Sequence, residues 1–258
     1  MKTFDSYRLH ITPLSPVHIG TGESYEPTNY VIDDGILHEF DTGATVMALS
    51  ASDRQALLRI TDRRPDAEMI KAVQRFFYER RETLMAHALQ RIPVLRGVTT
   101  LYASRVGQTA NREAGGKQVL NRLEIDRTAY NPVTRLPVLY GSSLKGAIRT
   151  ALLDKINGGS RLQMVEDRRT GKRRDENNQE LQNRLFRYQP GRFERDPMRL
   201  VQLADAVWCG EPGLPATRVH LAVNRKKAPV VDEKGVLRKS KADELYQILE
   251  CMPGWHYR

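Results

Sequence analysis

The stretch Leu139-Tyr140-Gly141-Ser142-Ser143-Leu144-Lys145-Gly146-Ala147-Ile148-Arg149 constrains this chain more than any other. A short apolar run, Pro137–Tyr140, ends at Gly141, and helical spacing begins at once. Leu144, Ile148, Leu152 and Ile156 recur every fourth residue until Gly158-Gly159 stops them. The expectation is a strand, a glycine, then a helix capped by Ser142 or Ser143 with that stripe packed inward. The first N–H groups of such a helix have no acceptor within it, and its dipole is positive there. Together they form a site for an anion such as a phosphate. Lys145 and Arg149, four apart, share one face. Gly141 and Gly146 let a sugar–phosphate backbone, or another polypeptide, approach closely. An ordinary capped helix with two surface cations has the same pattern. A nucleotide P-loop does not, because no Gly-x-x-x-x-Gly-Lys precedes the lysine.

The N-terminal part reads as β structure. Tyr7, Leu9 and Ile11 alternate with Arg8, His10 and Thr12, the period of a half-buried strand. Val17-His18-Ile19 then runs into Gly20-Thr21-Gly22-Glu23, a glycine turn whose N–H groups can make an anion nest or can equally close a tight turn without a ligand. An isolated His18 is more often a structural hydrogen-bonder than a general base. Tyr30–Ile32 and Ile36–Phe40 flank Asp33-Asp34-Gly35, a hairpin signal in which aspartates serve turn chemistry.

Beyond that hairpin the period changes. A short helix is expected at Ser52–Ile60. Ile70, Val73, Phe77, Leu84, Ala88 and Ile92 then recur at helical spacing between Pro65 and Pro93, broken at Arg81. Strand-like sequence resumes over Val94–Tyr102, followed by a basic, loop-rich stretch over 103–135 that holds Gly115-Gly116. Arg161–Gln182 reads as solvated and partly disordered. Strands are expected again at Leu200–Trp208 and Val219–Val223.

Charge narrows the class of partner. Lys and Arg number 41 against 31 Asp and Glu, giving +10, with arginine the more frequent cation. Such a surface attracts polyanions and releases counterions on binding phosphates, and arginine's planar fork suits phosphate and base stacking. Net charge alone fits an inert basic surface as well. No apolar run approaches the roughly 20 residues of a membrane span. Two cysteines, Cys209 and Cys251, indicate neither a disulfide framework nor a zinc site, so a reducing cytoplasm is the expected compartment.

Taken together, these segments resemble the RAMP superfamily of CRISPR proteins. The residues that carry the resemblance are Ser15-Pro16-Val17-His18-Ile19-Gly20-Thr21-Gly22-Glu23, Tyr30-Val31-Ile32-Asp33 and the run from Leu136 to Leu153. Asp196–Ala206 is similar to the family's strand after its variable loop. About 120 residues separate Gly22 from Gly141, where filament-forming RAMP subunits have a few tens. In this the chain looks like the Csm-type subunit of type III-A effectors that caps the guide RNA at its 3′ end.

The resemblance implies an α+β, ferredoxin-like (RRM-like) RAMP domain over residues 1–258. It carries a helical insertion over about 52–92 and a variable basic loop over about 160–198, and a second C-terminal RAMP half is expected to be absent or truncated. It implies RNA contacts at His18, Gly20, Thr21, Gly22, Gly141, Ser142, Ser143, Lys145, Gly146 and Arg149, with no cofactor, no metal and no catalytic residue. The implied role is non-catalytic: binding crRNA in a type III effector and supporting crRNA maturation and antiviral defence. The implied partners are crRNA and target RNA and other Csm-type RAMP subunits, above all the adjacent filament subunit, with a host nuclease left open. Two alternatives stand beside it. One is a metal-dependent RNase of the filament-subunit type using Asp33; the other is a guide-processing endonuclease using His10 or His18, for which the sequence offers no paired residue.

Overall fold

The two-residue turn Asp34-Gly35 has positive φ at both positions, 45° and 71°, the type I′ geometry that matches strand twist. It joins two strands of a computed structural model that describes residues 5–63, 66–108, 123–167, 169–210, 214–223, 230–231, 237–238 and 246–254. Residues 109–122 of the basic stretch, with Gly115-Gly116, and Arg168 and residues 255–258 lie outside the described residues. The chain divides into two compact units, residues 1–137 with 208–258, and residues 138–207.

The first unit opens with β1 (Gly20–Tyr25) and the hairpin β2 (Tyr30–Asp33) and β3 (Ile36–Glu39). Four helices follow: α1 (Thr42–Ala48), α2 (Ala51–Thr61), α3 (Ala67–Glu79) and α4 (Arg81–Ala86). The side chains of Asp41, Ser50 and Asp66 cap the first three by accepting N–H bonds at the helix starts. Then come β4 (Gln90–Pro93), α5 (Arg96–Arg105) and β5 (Ile125–Thr128). The second unit holds β6 (Val138–Leu139), α6 (Gly141–Asn157), β7 (Met164–Glu166), β8 (Arg173–Asp175), α7 (Asn178–Phe186) and β9 (Ala206–Val207). The chain returns to the first unit for β10 (Arg218–Val223), β11 (Val230–Val231), β12 (Leu237–Arg238) and β13 (Tyr246–Cys251).

In the first unit a four-stranded sheet runs β1-β5-β13-β10. Its central pair β5 and β13 is parallel and both edge strands are antiparallel to their neighbours. A second sheet, β2-β3-β4, is an antiparallel meander, and Val94 bridges from its end to Val219 of β10. One core cluster joins the two sheets to α5 through Tyr30, Ile32, Leu37, Ile92, Val98, Tyr102, Ile125, Val219 and Ile248. The other lies under the helices, where Val73, Phe76, Phe77 and Leu84 pack on Val31, Phe40, Leu49 and Leu57.

Several expectations need correction. Residues 7–12 form no strand: Tyr7, Leu9 and Ile11 are exposed, because alternation supplies a face but no ladder partner. Ile92 belongs to β4, opposite Leu37, and not to the helical stripe. The residue before a proline is driven out of the helical region, and Pro93 follows it. Ile70, on the expected stripe, is 42% exposed. Residues 96–105 are helix, not strand: Val98 and Tyr102 lie one turn apart and bury against the sheet, which outweighs the β propensity of the run. The 103–135 stretch contains β5.

In the second unit, the segment expected to be solvated holds the β7–β8 hairpin and α7. Asn177 and Glu180 make a reciprocal capping box, and the interleaved acids pair with the arginines: Arg174 with Glu180 at 2.8 Å and Arg184 with Glu176 at 2.5 Å. Of the strand expected over 200–208, only β9 forms, pairing with β6. On α6 the inward residue is Leu153, while Leu152 and Ile156 are exposed.

Candidate nucleic-acid interface

The second unit carries the glycine-flanked helix start. Helix α6 begins at Gly141 itself, with Tyr140 as its N-cap residue and no side-chain cap, so neither Ser142 nor Ser143 plays the expected capping role. The Gly141 N–H instead donates to Asp205 Oδ1 at 2.8 Å. A carboxylate of the protein thus occupies the expected phosphate position, and the helix dipole favours it for the same reason. Gly141 is required by close approach: a Cβ there would lie 2.1 Å from the Leu203 carbonyl oxygen. It is another segment of polypeptide that comes close. Ser142, Ser143 and Gly146 are exposed, and a Cβ on Gly146 would meet nothing within 4 Å.

The two cations of the face are both engaged inside the unit. Lys145 donates through Nζ to the Val201 carbonyl at 2.8 Å, and its charge helps to lower the Asp196 carboxyl. Arg149 is more deeply committed. Its Nη1 donates to both oxygens of Asp196 at 2.9 and 3.0 Å, and its Nε donates to Gln182 Oε1 at 2.7 Å. Its guanidinium also lies over the rings of Phe186 and Tyr188. Burial alone would raise the Asp196 carboxyl, but hydrogen bonds from Arg149 and the Met198 N–H outweigh that and hold it below the usual carboxylate range. Arg149 therefore fastens α6 to α7 and to the segment after it.

The other glycine motif lies in the first unit. Gly20-Thr21-Gly22 is not a turn after a strand; it is the start of β1, and the register against β5 shifts between Gly20 and Ser24. Gly22 sits in that irregularity with φ of 81°, a left-handed conformation that suits a glycine bulge. Thr21 and Gly22 are exposed. His18 is half-buried, and its Nδ1 lies 2.7 Å from the Glu250 carbonyl, which makes Nδ1 the donor and leaves Nε2 without the proton in the neutral ring.

Beneath β1 is a buried polar network that no sequence motif marks. Glu250 accepts from Tyr25 Oη (3.1 Å), Thr217 Oγ1 (2.7 Å) and the Thr128 N–H (3.2 Å). Burial nevertheless raises its carboxyl above the usual range. Glu39 pairs with Arg127 at 3.1 Å and with Arg135 at 3.2 Å, and Arg127 lies 3.7 Å from the centroid of Tyr130. These partners are far apart in sequence (122 positions between Thr128 and Glu250), so local spacing carries no trace of them. Asp205 and Asp196 escape sequence reasoning as partners of Gly141 and Arg149 for the same reason.

Asp33, the residue of the RNase alternative, ends β2 and accepts from Arg81 Nε at 2.8 Å. Among the described residues no group of three or more His, Cys, Asp or Glu is arranged to hold a metal ion, and no helix is long and apolar enough to cross a membrane.

A basic α+β chain with two glycine motifs and, among the described residues, seven helices is the class these observations define. The RAMP superfamily model matches residues 10–249, and the chain belongs to that superfamily. Among solved structures, a crystal structure of T. onnurineus Csm5 is 18% identical with a TM-score of 0.44, covering 94% of this chain and 64% of that one. A chain in a cryo-EM structure of a Csm–crRNA–target RNA ternary complex of a type III-A CRISPR-Cas system is 20% identical with a TM-score of 0.43, covering 94% and 60%. This chain thus spans less than two thirds of the length of either. No curated protein matches it.

Proposed function

We propose that the chain is a non-catalytic crRNA-binding subunit of a type III-A CRISPR effector, which closes the filament near the 3′ end of the guide. The observation that carries this reading is the RAMP family match over residues 10–249. A net charge of +10 fits a phosphate-rich partner. In this reading the sheet β1-β5-β13-β10, with its parallel centre and antiparallel edges, is the ferredoxin-like core, with α5 against it. The helices α1–α4 are the insertion. Their own apolar cluster under β2 and β3 adds bulk at one place, and bulk on one face stops head-to-tail addition of a further subunit.

The proposed RNA-facing positions are Thr21 and Gly22 beside Gly20 and His18 in the first unit, and Ser142, Ser143, Lys145 and Gly146 in the second. Gly141 and Arg149 act there as positioning residues. Asp33, held by Arg81, is no metal ligand, and cleavage of target RNA belongs to other subunits.

Purification of the chain with its natural complex tests the reading. The expected result is a short RNA and other RAMP subunits in the same particle, with native mass spectrometry giving one copy of this chain. Several copies in a row, or a position at the 5′ end, would remove the capping role. Absence of RNA would remove the binding role.

A further inference from the structure

Glu250, on β13, is 3% exposed, and both flanks of the Gly20–Gly22 bulge are tied to it. Before the bulge, His18 Nδ1 donates to its carbonyl at 2.7 Å. After the bulge, Tyr25 at the end of β1 donates from Oη to its carboxylate at 3.1 Å. The same carboxylate oxygen accepts the Thr128 N–H at 3.2 Å. Thr128 stands opposite Gly20 in the β1–β5 ladder, and its Oγ1 accepts the Ile19 N–H at 3.2 Å. The other carboxylate oxygen accepts from Thr217 Oγ1 at 2.7 Å.

Between these anchors the β1–β5 register shifts, Thr21 and Gly22 are exposed, and Gly22 has φ of 81°. Glycine imposes little conformation of its own, so the flanks decide the shape of such a bulge. At its start the fit is close: a Cβ on Gly20 would lie 3.3 Å from His18 Nε2, on the ring that the Glu250 carbonyl orients. An apolar side chain can fill a buried space of this kind without loss of stability. It cannot orient a phenol, a hydroxyl and a backbone N–H at once. The carboxylate does all three.

We infer that Glu250 is a positioning residue for the proposed RNA contact at Gly20–Gly22. It touches no RNA itself; it holds the exposed bulge in the shape that meets a sugar–phosphate backbone. The inference rests on the RNA-binding reading above and adds to it a buried residue on a distant strand.

The test measures binding of a short fluorescent single-stranded RNA of mixed sequence to the full chain over a range of salt. Unfolding midpoints of every variant fix a temperature at which all are folded. Glu250→Leu should weaken binding about tenfold, the size of effect expected between coupled residues. The salt slope should stay as in the wild type, because no cation is removed. Glu250→Gln should recover most of the loss, since its oxygen can accept from Tyr25 and Thr128 while its NH₂ donates to Thr217. Tyr25→Phe, which cuts only the tether at the end of β1, should weaken binding by less. Gly22→Ala reshapes the bulge directly. Adding Glu250→Leu to it should cost nothing further, because both act through the same segment. Where Glu250→Leu does not fold, Tyr25→Phe takes its place in that comparison. Folded Glu250→Leu and Tyr25→Phe variants that bind as the wild type does would overturn the inference alone. So would losses that add to that of Gly22→Ala, or a Glu250→Gln variant as weak as Glu250→Leu. If the wild type binds no RNA, the inference falls together with the RNA-binding reading.

Discussion

Arg149 reaches both carboxylate oxygens of Asp196, at 2.9 and 3.0 Å, with both side chains only 18% exposed. The arginine that the sequence offers as an RNA ligand is thus the fastening of the second unit. Arg149→Ala should destabilise that unit by about 2 kcal/mol in the absence of any RNA, since a half-buried carboxylate is left without its partner. Arg149→Lys should recover little of this, because an ammonium cannot span both oxygens and also reach Gln182. Lys145→Ala, which removes one exposed bond to a carbonyl, should change stability by under about 0.5 kcal/mol. Denaturant unfolding of the three variants checks the ranking. Equal stability of Arg149→Ala and the wild type would return Arg149 to the surface role.

The same pair sets a pH dependence. Asp196 titrates below its ordinary value of 3.8 in the folded protein, so the unfolded chain binds its proton first as pH falls. Its contribution is fully present well above pH 3.8 and is lost as pH drops through the folded pKa. Asp196→Ala should lower stability at neutral pH and flatten the acid limb of the stability curve. Glu250 works in the opposite sense. Its folded pKa is raised above 4.5, so its contribution is greatest in acid and declines as pH rises from 4.5 through the folded value. Glu250→Gln should remove that decline. Unfolding midpoints across a pH series read both effects.

Legibility in the sequence follows sequence distance. The β2–β3 hairpin is readable because Asp34-Gly35 is a local instruction to the backbone, and α6 is readable because glycine stops and spacing are local too. The helices over 42–86 are partly readable, from the spacing of Val73, Phe77 and Leu84. The expectations that fail are decided at a distance. Tyr7–Thr12 has the period of a strand without a partner, and α5 has the composition of a strand but a helical face to bury. The glycine motifs stand out as motifs, yet their surroundings do not. Asp205, 64 positions from Gly141, and Asp196, 47 from Arg149, are the internal partners of the motif that local spacing does not announce.

Two glycines of one helix should respond in opposite ways. At Gly141 an added methyl would meet the backbone of Leu203 and Ala204, with the nearest oxygen at 2.1 Å. A carbonyl in the chain cannot step aside as a side chain can, so Gly141→Ala should cost about 2–3 kcal/mol. At Gly146 the space is open, and alanine in a helix interior is favoured by about 1 kcal/mol. Gly146→Ala should therefore raise the unfolding midpoint. If it does so and also weakens guide RNA binding, Gly146 is where the RNA backbone comes close.

The last prediction concerns Asp33. A carboxylate that binds a catalytic divalent cation needs its charge free for the metal and further oxygen ligands beside it. Asp33 instead accepts from Arg81 Nε at 2.8 Å, and Arg81 lies over the ring of Tyr78, at the junction where α3 gives way to α4. The pair ties the end of β2 to the helices. Asp33→Ala should thus leave target RNA cleavage by the reconstituted effector unchanged in the presence of magnesium or manganese. Its effect should appear as a loss of about 0.5–1 kcal/mol of stability, the range of a partly exposed ion pair. Arg81→Ala should cost a similar amount, and the double variant less than the sum of the two. Loss of one cleavage position in the Asp33 variant, with the particle assembled, would assign the aspartate to chemistry and the arginine to holding it ready.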